Sequence, residues 1–208
     1  DHINTINWLN ENTETCSFYL VKIEVFKILN SPPAANFDLL AGPTETTKIK
    51  QKINIEDSNR GKARHKFWSL FLERSKEKTN MFNNISPRIY AWLGTSSGLR
   101  GVSYNCVVNK GIAQAEVYID RGKEGSNENK DIFEALNSKK NQIEKDFGES
   151  LEWESLPDSR ACRIKKVTEI GGWQEEEKWE EVHSKVIDYS IRIKKAFDPI
   201  IKEVQKKY

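Results

Sequence analysis

Residues 102–120 constrain this chain more than any other stretch. Val102 to Asn109 and Ala113 to Asp120 are rich in residues that favour strands, and Lys110-Gly111 stands between them at hairpin spacing. In the second run Glu116, Tyr118 and Asp120 alternate with Val117 and Ile119, so polar side chains share one strand face and apolar ones the other. Antiparallel strands covered on one side only carry that alternation. A helix is expected next, with Ser126 as N-cap, Glu128 and Asp131 in its first turn, and Ile132, Leu136, Ile143 and Phe147 leading to Gly148. Leu151 to Leu156 and Cys162 to Ile170 read as two further strands joined by Pro157-Asp158. Trp179, Val182, Val186, Tyr189, Ile193 and Phe197 then step by three and four, which predicts a long amphipathic helix that Asp198-Pro199 caps and restarts. The expected class is α+β, an antiparallel sheet covered by helices, preceded by a helix-strand-strand segment.

That preceding segment occupies residues 1–43. Ile3 to Asn12 has the spacing of a helix end. Phe18 to Leu29 places Tyr19, Val21, Ile23 and Val25 on one face and Phe18, Leu20 and Phe26 on the other, which predicts a strand covered on both sides. Ser31-Pro-Pro33 turns the chain, and Asn36 to Ala41 returns until Gly42-Pro43. A unit of this size lacks a core of its own and needs more chain around it. Opening on Asp1, with Met81 as its one methionine, the chain is expected to be a piece of something longer. Residues 44–60 are polar and aperiodic, and read as a linker; residues 61–208 form the main domain. There the period turns helical, with Phe67, Trp68, Phe71 and Leu72 on one side and Arg64, Lys76 and Lys78 on the other, until Pro87. Ile89 to Leu93 is a short strand, and Gly94 to Gly101 a loop.

No apolar run reaches the roughly 18 residues of a membrane span, so a cytoplasmic protein without membrane contact is expected. Cys16, Cys106 and Cys162 are far apart within strand-like patterns, which speaks for packing thiols rather than disulfides or zinc. A formal net charge of +2 hides an uneven distribution. The run from Lys48 to Lys78 is strongly basic, while Glu144 to Asp158 and Glu169 to Glu181 are acidic. A single basic face fits that layout better than uniform binding of a polyanion.

Two sets of residues stand out as candidate sites. Glu116, Tyr118 and Asp120, completed by Arg160 or Arg163 from another strand, form a polar strand face that is either a recognition site or a solvated face with cross-strand ion pairs. The guanidinium fork of arginine suits carboxylate or phosphate. Arg60, Lys62, Arg64, Lys66, Arg74, Lys76 and Lys78 are placed to follow a nucleic-acid backbone, with Lys48, Lys50 and Lys52 as an extension, or simply to solvate a helix. Trp8, Trp68, Trp153 and Trp179 fall on apolar faces and are expected in the core, whereas Trp92 and Trp173 are open to either role, packing or stacking on bases. The Gly94 to Gly101 loop, with Arg100, has the donors of an anion nest and lacks the P-loop pattern. His2, His65 and His183 show no metal-ligand spacing, and no catalytic residue is assigned.

Phe67-Trp68 with Leu72-Glu73, Ser97-Gly98, Gly101, Tyr104, Glu116 to Asp120, Asn129-Lys130, Phe133, Phe147-Gly148, Leu151-Glu-Trp153, Arg160-Ala161 and Arg163-Ile164 carry a resemblance in their order and spacing. Across residues 61–207 the chain resembles a domain of undefined biochemistry found fused after restriction-endonuclease-like cores in bacterial and archaeal proteins. Residues 1–43 look like the last helix and strands of such a core. The resemblance implies a DNA-binding or specificity module that is inactive as this chain. The Mg²⁺-binding carboxylates and lysine would lie in an upstream part, so no cofactor is expected in this chain. Its Glu-x-Lys triplets, Glu128-Asn-Lys130 and Glu176-Glu-Lys178, open helices rather than end strands. Two other readings stand beside it: a protein-interaction or dimerisation domain, with homo-oligomers formed through the C-terminal helix, and a metal-dependent nuclease built on Asp120 and Glu128.

Overall fold

The computed structural model describes residues 2–13, 16–27, 29, 32–156 and 159–207, and for 45–57 the backbone only. It is a mixed α+β structure with antiparallel sheets, and it divides into two compact units, Asp1–Arg60 and Gly61–Tyr208.

In the first unit helix α1 (His2–Asn12) leads into strands β1 (Leu20–Phe26) and β2 (Ala34–Ala41), which pair antiparallel. Asn10 clasps the chain where it leaves the helix. Its Nδ2 donates to the Phe18 carbonyl at 2.9 Å, and its Oδ1 accepts from the Phe18 N–H at 2.8 Å. The register sets Val21 opposite Leu39, Ile23 opposite Phe37 and Val25 opposite Ala35, so one face of the pair is apolar throughout. The expectation of a covered strand is corrected here: Val21, Ile23, Val25, Phe37 and Leu39 are all exposed. Trp8, expected in the core, is 61% exposed. Two strands and one helix cannot cover both faces of a sheet. Ser31, at the expected turn, lies outside the described residues.

Helix α2 (Glu45–Ser75) begins well before Gly61, so the stretch read as a linker is helical from residue 45 on. Its lysines, glutamines and glutamates are adequate helix formers even where no apolar stripe advertises them. From Phe67 onward Phe67, Trp68, Phe71 and Leu72 are buried, as the spacing predicted.

The second unit is built on a five-stranded antiparallel sheet in the order β3-β4-β5-β7-β6, from β3 (Trp92–Ser96), β4 (Val102–Val108), β5 (Ala113–Ile119), β6 (Glu152–Glu154) and β7 (Cys162–Thr168). The hairpin forms as expected, whereas β3 starts three residues later than Ile89 and takes in Gly94, Thr95 and Ser96. Tyr104, Cys106, Val117, Ile119 and Ile164 point to one face and are buried under the helices. The expected helix from Ser126 to Gly148 is two helices, α3 (Ser126–Asn137) and α4 (Lys140–Phe147). Ser138 divides them: its hydroxyl donates to the Ala135 carbonyl at 2.7 Å, a local bond that competes with the helix ladder. The N-cap position belongs to Gly125, and Ser126 is already helical. Gly148 ends α4 at φ 94°, its N–H returning to the Glu144 carbonyl at 2.8 Å, a conformation that favours glycine. The turn expected at Pro157-Asp158 lies outside the described residues.

Helix α5 (Trp179–Gln205) crosses the sheet and buries Val182, Val186, Tyr189, Ile193 and Phe197. It runs through Pro199 instead of restarting there. Ala196, Phe197, Ile200 and Ile201 are buried on both sides of the proline, and Asp198 is anchored by the Tyr104 hydroxyl at 2.6 Å, contacts that outweigh one missing N–H bond. None of the described helices is long and apolar enough to cross a membrane.

Candidate functional site

The face of the five-stranded sheet turned away from α5 is built in rows. Strand register sets Gly94, Asn105, Glu116, Lys165 and Glu152 side by side across all five strands. The next row is Ser96, Ser103, Tyr118, Arg163 and Glu154. On the other flank stand Trp92, Val107, Gln114 and Val167. A dent opens in this face between Trp92 and Tyr118. It is a pocket of about 310 Å³ lined by Trp92, Ser103, Asn105, Val107, Glu116 and Tyr118. A Cβ at position 94 would stand 2.0 Å from Asn105 Oδ1, so Gly94 is what lets the Asn105 carboxamide lie flat.

Glu116 lies on the pocket floor, 5% exposed. Its Oε2 accepts from Gln114 Nε2 at 2.7 Å, and its Oε1 lies 3.4 Å from Asn105 Nδ2. Burial raises its pKa, and the bonds to Asn105 and Gln114 together with the charges of Arg163 and Lys165 only partly oppose that. Asn105 Oδ1 is buried and has no hydrogen-bond partner among the described residues. Trp92 forms the outer wall, 46% exposed, with the Arg88 guanidinium 5.7 Å from its ring. Lys165 and Arg163 turn toward the β6 edge. Lys165 Nζ pairs with Glu154 at 2.7 Å and Glu152 at 3.3 Å, and Arg163 pairs with Glu154.

The expected polar strand face is thus divided. Glu116 and Tyr118 line the pocket and Arg163 stands opposite Tyr118. Asp120 lies beyond the end of β5 in a fork with Arg160, whose Nε donates to Oδ1 at 2.8 Å and Nη2 to Oδ2 at 2.9 Å. The Arg160 bond holds the Asp120 carboxyl below its ordinary pKa. Buried Asn129 places this corner: its Oδ1 accepts from the Arg121 N–H at 2.8 Å, and its Nδ2 donates to the Arg160 carbonyl at 2.9 Å. Glu128 pairs with Arg121 at 2.9 Å. Among the described residues no three His, Cys, Asp or Glu side chains gather as metal ligands.

The basic set also separates. Lys62 and Lys76 are exposed, and Arg60 is half-buried. Arg64, half-buried, has its guanidinium 6.0 Å from the Trp173 ring. Lys66 pairs with Glu176 at 2.5 Å and lies 5.6 Å from the Trp179 ring, and Lys78 donates to the Ser184 hydroxyl at 3.0 Å. Arg74 Nη1 stands 2.6 Å from His183 Nδ1, inside an aromatic group that includes Phe67 and Phe71. Burial, with the Arg74 charge beside it, pulls the His183 pKa down to about 3, so the ring is neutral and its Nδ1 accepts. The side chains of Lys48, Lys50 and Lys52 lie outside the described residues. In the Gly94 to Gly101 loop, Ser96 Oγ accepts from the Gly98 N–H at 3.1 Å and Ser97 Oγ donates to the Val102 carbonyl at 2.8 Å, so the hydroxyls bond to their own turn.

Asn105 and Gln114 are site residues that no sequence motif marks, whereas Trp92 stands in the sequence as a residue open to packing or to stacking on bases. The available signal was a polar amide within each hairpin strand, Asn105 in the middle of one and Gln114 near the start of the other.

The geometry defines an α+β domain with one helix-covered sheet face and one open polar face that holds a pocket. The chain belongs to a family known as a domain of unknown function, DUF4268, whose model matches residues 63–201. No curated protein and no solved structure matches it.

Proposed function

We propose that the second unit is a nucleic-acid recognition module that holds unpaired DNA on its open sheet face. The observation that carries this reading is the pocket between Trp92 and Tyr118, where exposed aromatic surface flanks hydrogen-bonding side chains on an antiparallel sheet. Sheet faces of that kind take splayed bases by stacking and read their edges. The basic helix, favoured from sequence, contributes less to this reading, because Lys66, Arg74 and Lys78 have partners within their own unit. As the resemblance implies, the module would supply recognition to a restriction-endonuclease-like protein whose core carries the Mg²⁺ chemistry.

The test is fluorescence anisotropy with labelled single-stranded and duplex DNA over a salt series. The expected result is binding that favours the single strand, weakens linearly in log salt and falls at least several-fold in Trp92→Ala. Absence of binding to either form at low salt would refute the reading.

A protein-interaction role is the second reading, and the exposed apolar face of β1 and β2 favours it. The apolar stripe of α5, which first suggested dimerisation, is buried within its own unit. Light scattering of the chain and of Ile23→Lys distinguishes the cases: an assembly that dissociates in the variant supports this reading, and a monomer in both counts against it.

A further inference from the structure

We infer that the free edge of β3 is a docking site for an extended peptide segment with acidic residues at both ends, which joins the five-stranded sheet as a further strand. The backbone of β3 carries this inference, so it stands apart from the nucleic-acid reading.

The two edges of the sheet are unlike. At one end β6 is three residues long, and its Glu152 and Glu154 pair with Lys165 and Arg163. Short length and charge are what keep an edge from recruiting another strand. At the other end β3 runs for five residues, Trp92 to Ser96, with no charge, no proline and no bulge in its register with β4. The Ala91 carbonyl accepts from the Val108 N–H at 2.7 Å, and the Ser97 N–H donates to the Val102 carbonyl at 3.2 Å. Antiparallel bonds alternate along a strand, so Ala91, Leu93, Thr95 and Ser97 face β4, while Trp92, Gly94 and Ser96 direct their N–H and C=O groups outward. No backbone group among the described residues meets those outward groups, and Trp92 and Ser96 are exposed. Such an alternating row of donors and acceptors is matched by an extended backbone.

Side chains and charge say which backbone. The exposed Trp92 ring favours an aromatic or β-branched neighbour on the added strand. Arg88 stands shortly before β3 and Arg100 shortly after it, both exposed and neither in an ion pair among the described residues. A second copy set antiparallel about Gly94 would bring its own Arg100 toward Arg88 and its Arg88 toward Arg100, a pairing that like charges oppose. Carboxylates at both ends of the added strand turn that repulsion into attraction.

The test is fluorescence anisotropy of the full chain with the labelled peptide Glu-Glu-Thr-Val-Thr-Val-Thr-Glu-Glu and its counterpart with lysine in place of glutamate. Two further forms of the acidic peptide are N-methylated on alternate residues, one form for each of its edges. The acidic peptide is expected to bind about 10-fold more tightly than the lysine one. One methylated form is expected to lose binding and the other to keep it, because only one edge of the peptide meets β3. Ser96→Pro removes one outward N–H and no bond to β4, and is expected to weaken binding about 5-fold, the worth of one hydrogen bond. Arg88→Glu combined with Arg100→Glu is expected to reverse the preference between the acidic and lysine peptides. Thermal melts confirm that the variants fold, and the methylated pair decides without any variant. Equal binding of the two methylated forms, or failure of the acidic peptide to bind, would overturn docking at this edge. A dimer in light scattering that Ser96→Pro dissociates would assign the edge to a second copy and overturn the peptide.

Discussion

The sheet of the first unit and the sheet of the second follow the same alternation and meet opposite fates. In β1 and β2 the apolar side chains Val21, Ile23, Val25, Phe37 and Leu39 share one face and are exposed. In β4, β5 and β7 the apolar face is buried beneath α5, and the polar face is the open one. Alternation therefore says which face requires cover, and says nothing of whether cover is supplied. Where helices follow in the same unit, the requirement is met.

The contrast is broken or sharpened by measurement, beginning with the largest effect. Ile164→Ala, on the covered face, is expected to destabilise the second unit by about 2–5 kcal/mol, from lost burial and the cavity left behind. Ile23→Ala is expected to change stability by no more than about 0.5 kcal/mol, because its side chain is 61% exposed. Urea melts of both variants check the pair; similar losses would mean that the β1 face is covered in solution.

Next is a pH dependence belonging to the covered side. His183 is neutral in the fold down to about pH 3, whereas the unfolded chain takes up its proton near the ordinary value of about 6.5. The unfolded state then binds more protons, so stability present above about pH 6.5 is lost as pH falls, with a limiting slope of about 1.4 kcal/mol per pH unit. The His183→Gln variant is expected to show a flatter profile between pH 6.5 and 4 than the parent chain, followed by denaturant melts at each pH.

On the open face the sign reverses. Burial raises the Glu116 pKa, so its contribution is fully present below the unfolded value and is lost as pH rises through the folded one. At neutral pH the Glu116→Gln variant is expected to gain about 1 kcal/mol, seen as a higher Tm. A lower Tm would show that the carboxylate is structural. The smallest effect is expected for Lys66→Ala, whose pair with Glu176 is more than half exposed on both sides: less than about 1 kcal/mol by the same melts.

The parts legible in sequence are those with a local cause. The 102–120 hairpin and the apolar stripe of α5 declare themselves through periods of two and of three to four residues. The division of α3 from α4 was hidden because it depends on the one hydroxyl of Ser138 choosing a backbone partner. The neutral state of His183 was hidden because what buries it, Phe67 and Phe71 among others, and the Arg74 charge beside it come from a helix more than 100 residues earlier in the sequence. Glu116 and Tyr118 were visible as a polar face, yet the pocket was not. It needs Gly94, Asn105 and Glu116 in one row, and only the register of three paired strands puts them there.

Strand order has a kinetic consequence. β4 and β5 are joined by a tight turn, so their pairing closes a short loop and is expected within microseconds. In the chain α3, α4 and β6 stand between β5 and its partner β7, and among the described strands β6 pairs with β7 alone. Closing that long loop sets the barrier. Substitutions in the hairpin are thus expected to slow refolding, while those in β6, added last, speed unfolding and leave refolding almost untouched. Paired folding and unfolding rates for Val117→Ala and Trp153→Phe would reveal whether β5 is the nucleus on which the remaining strands condense.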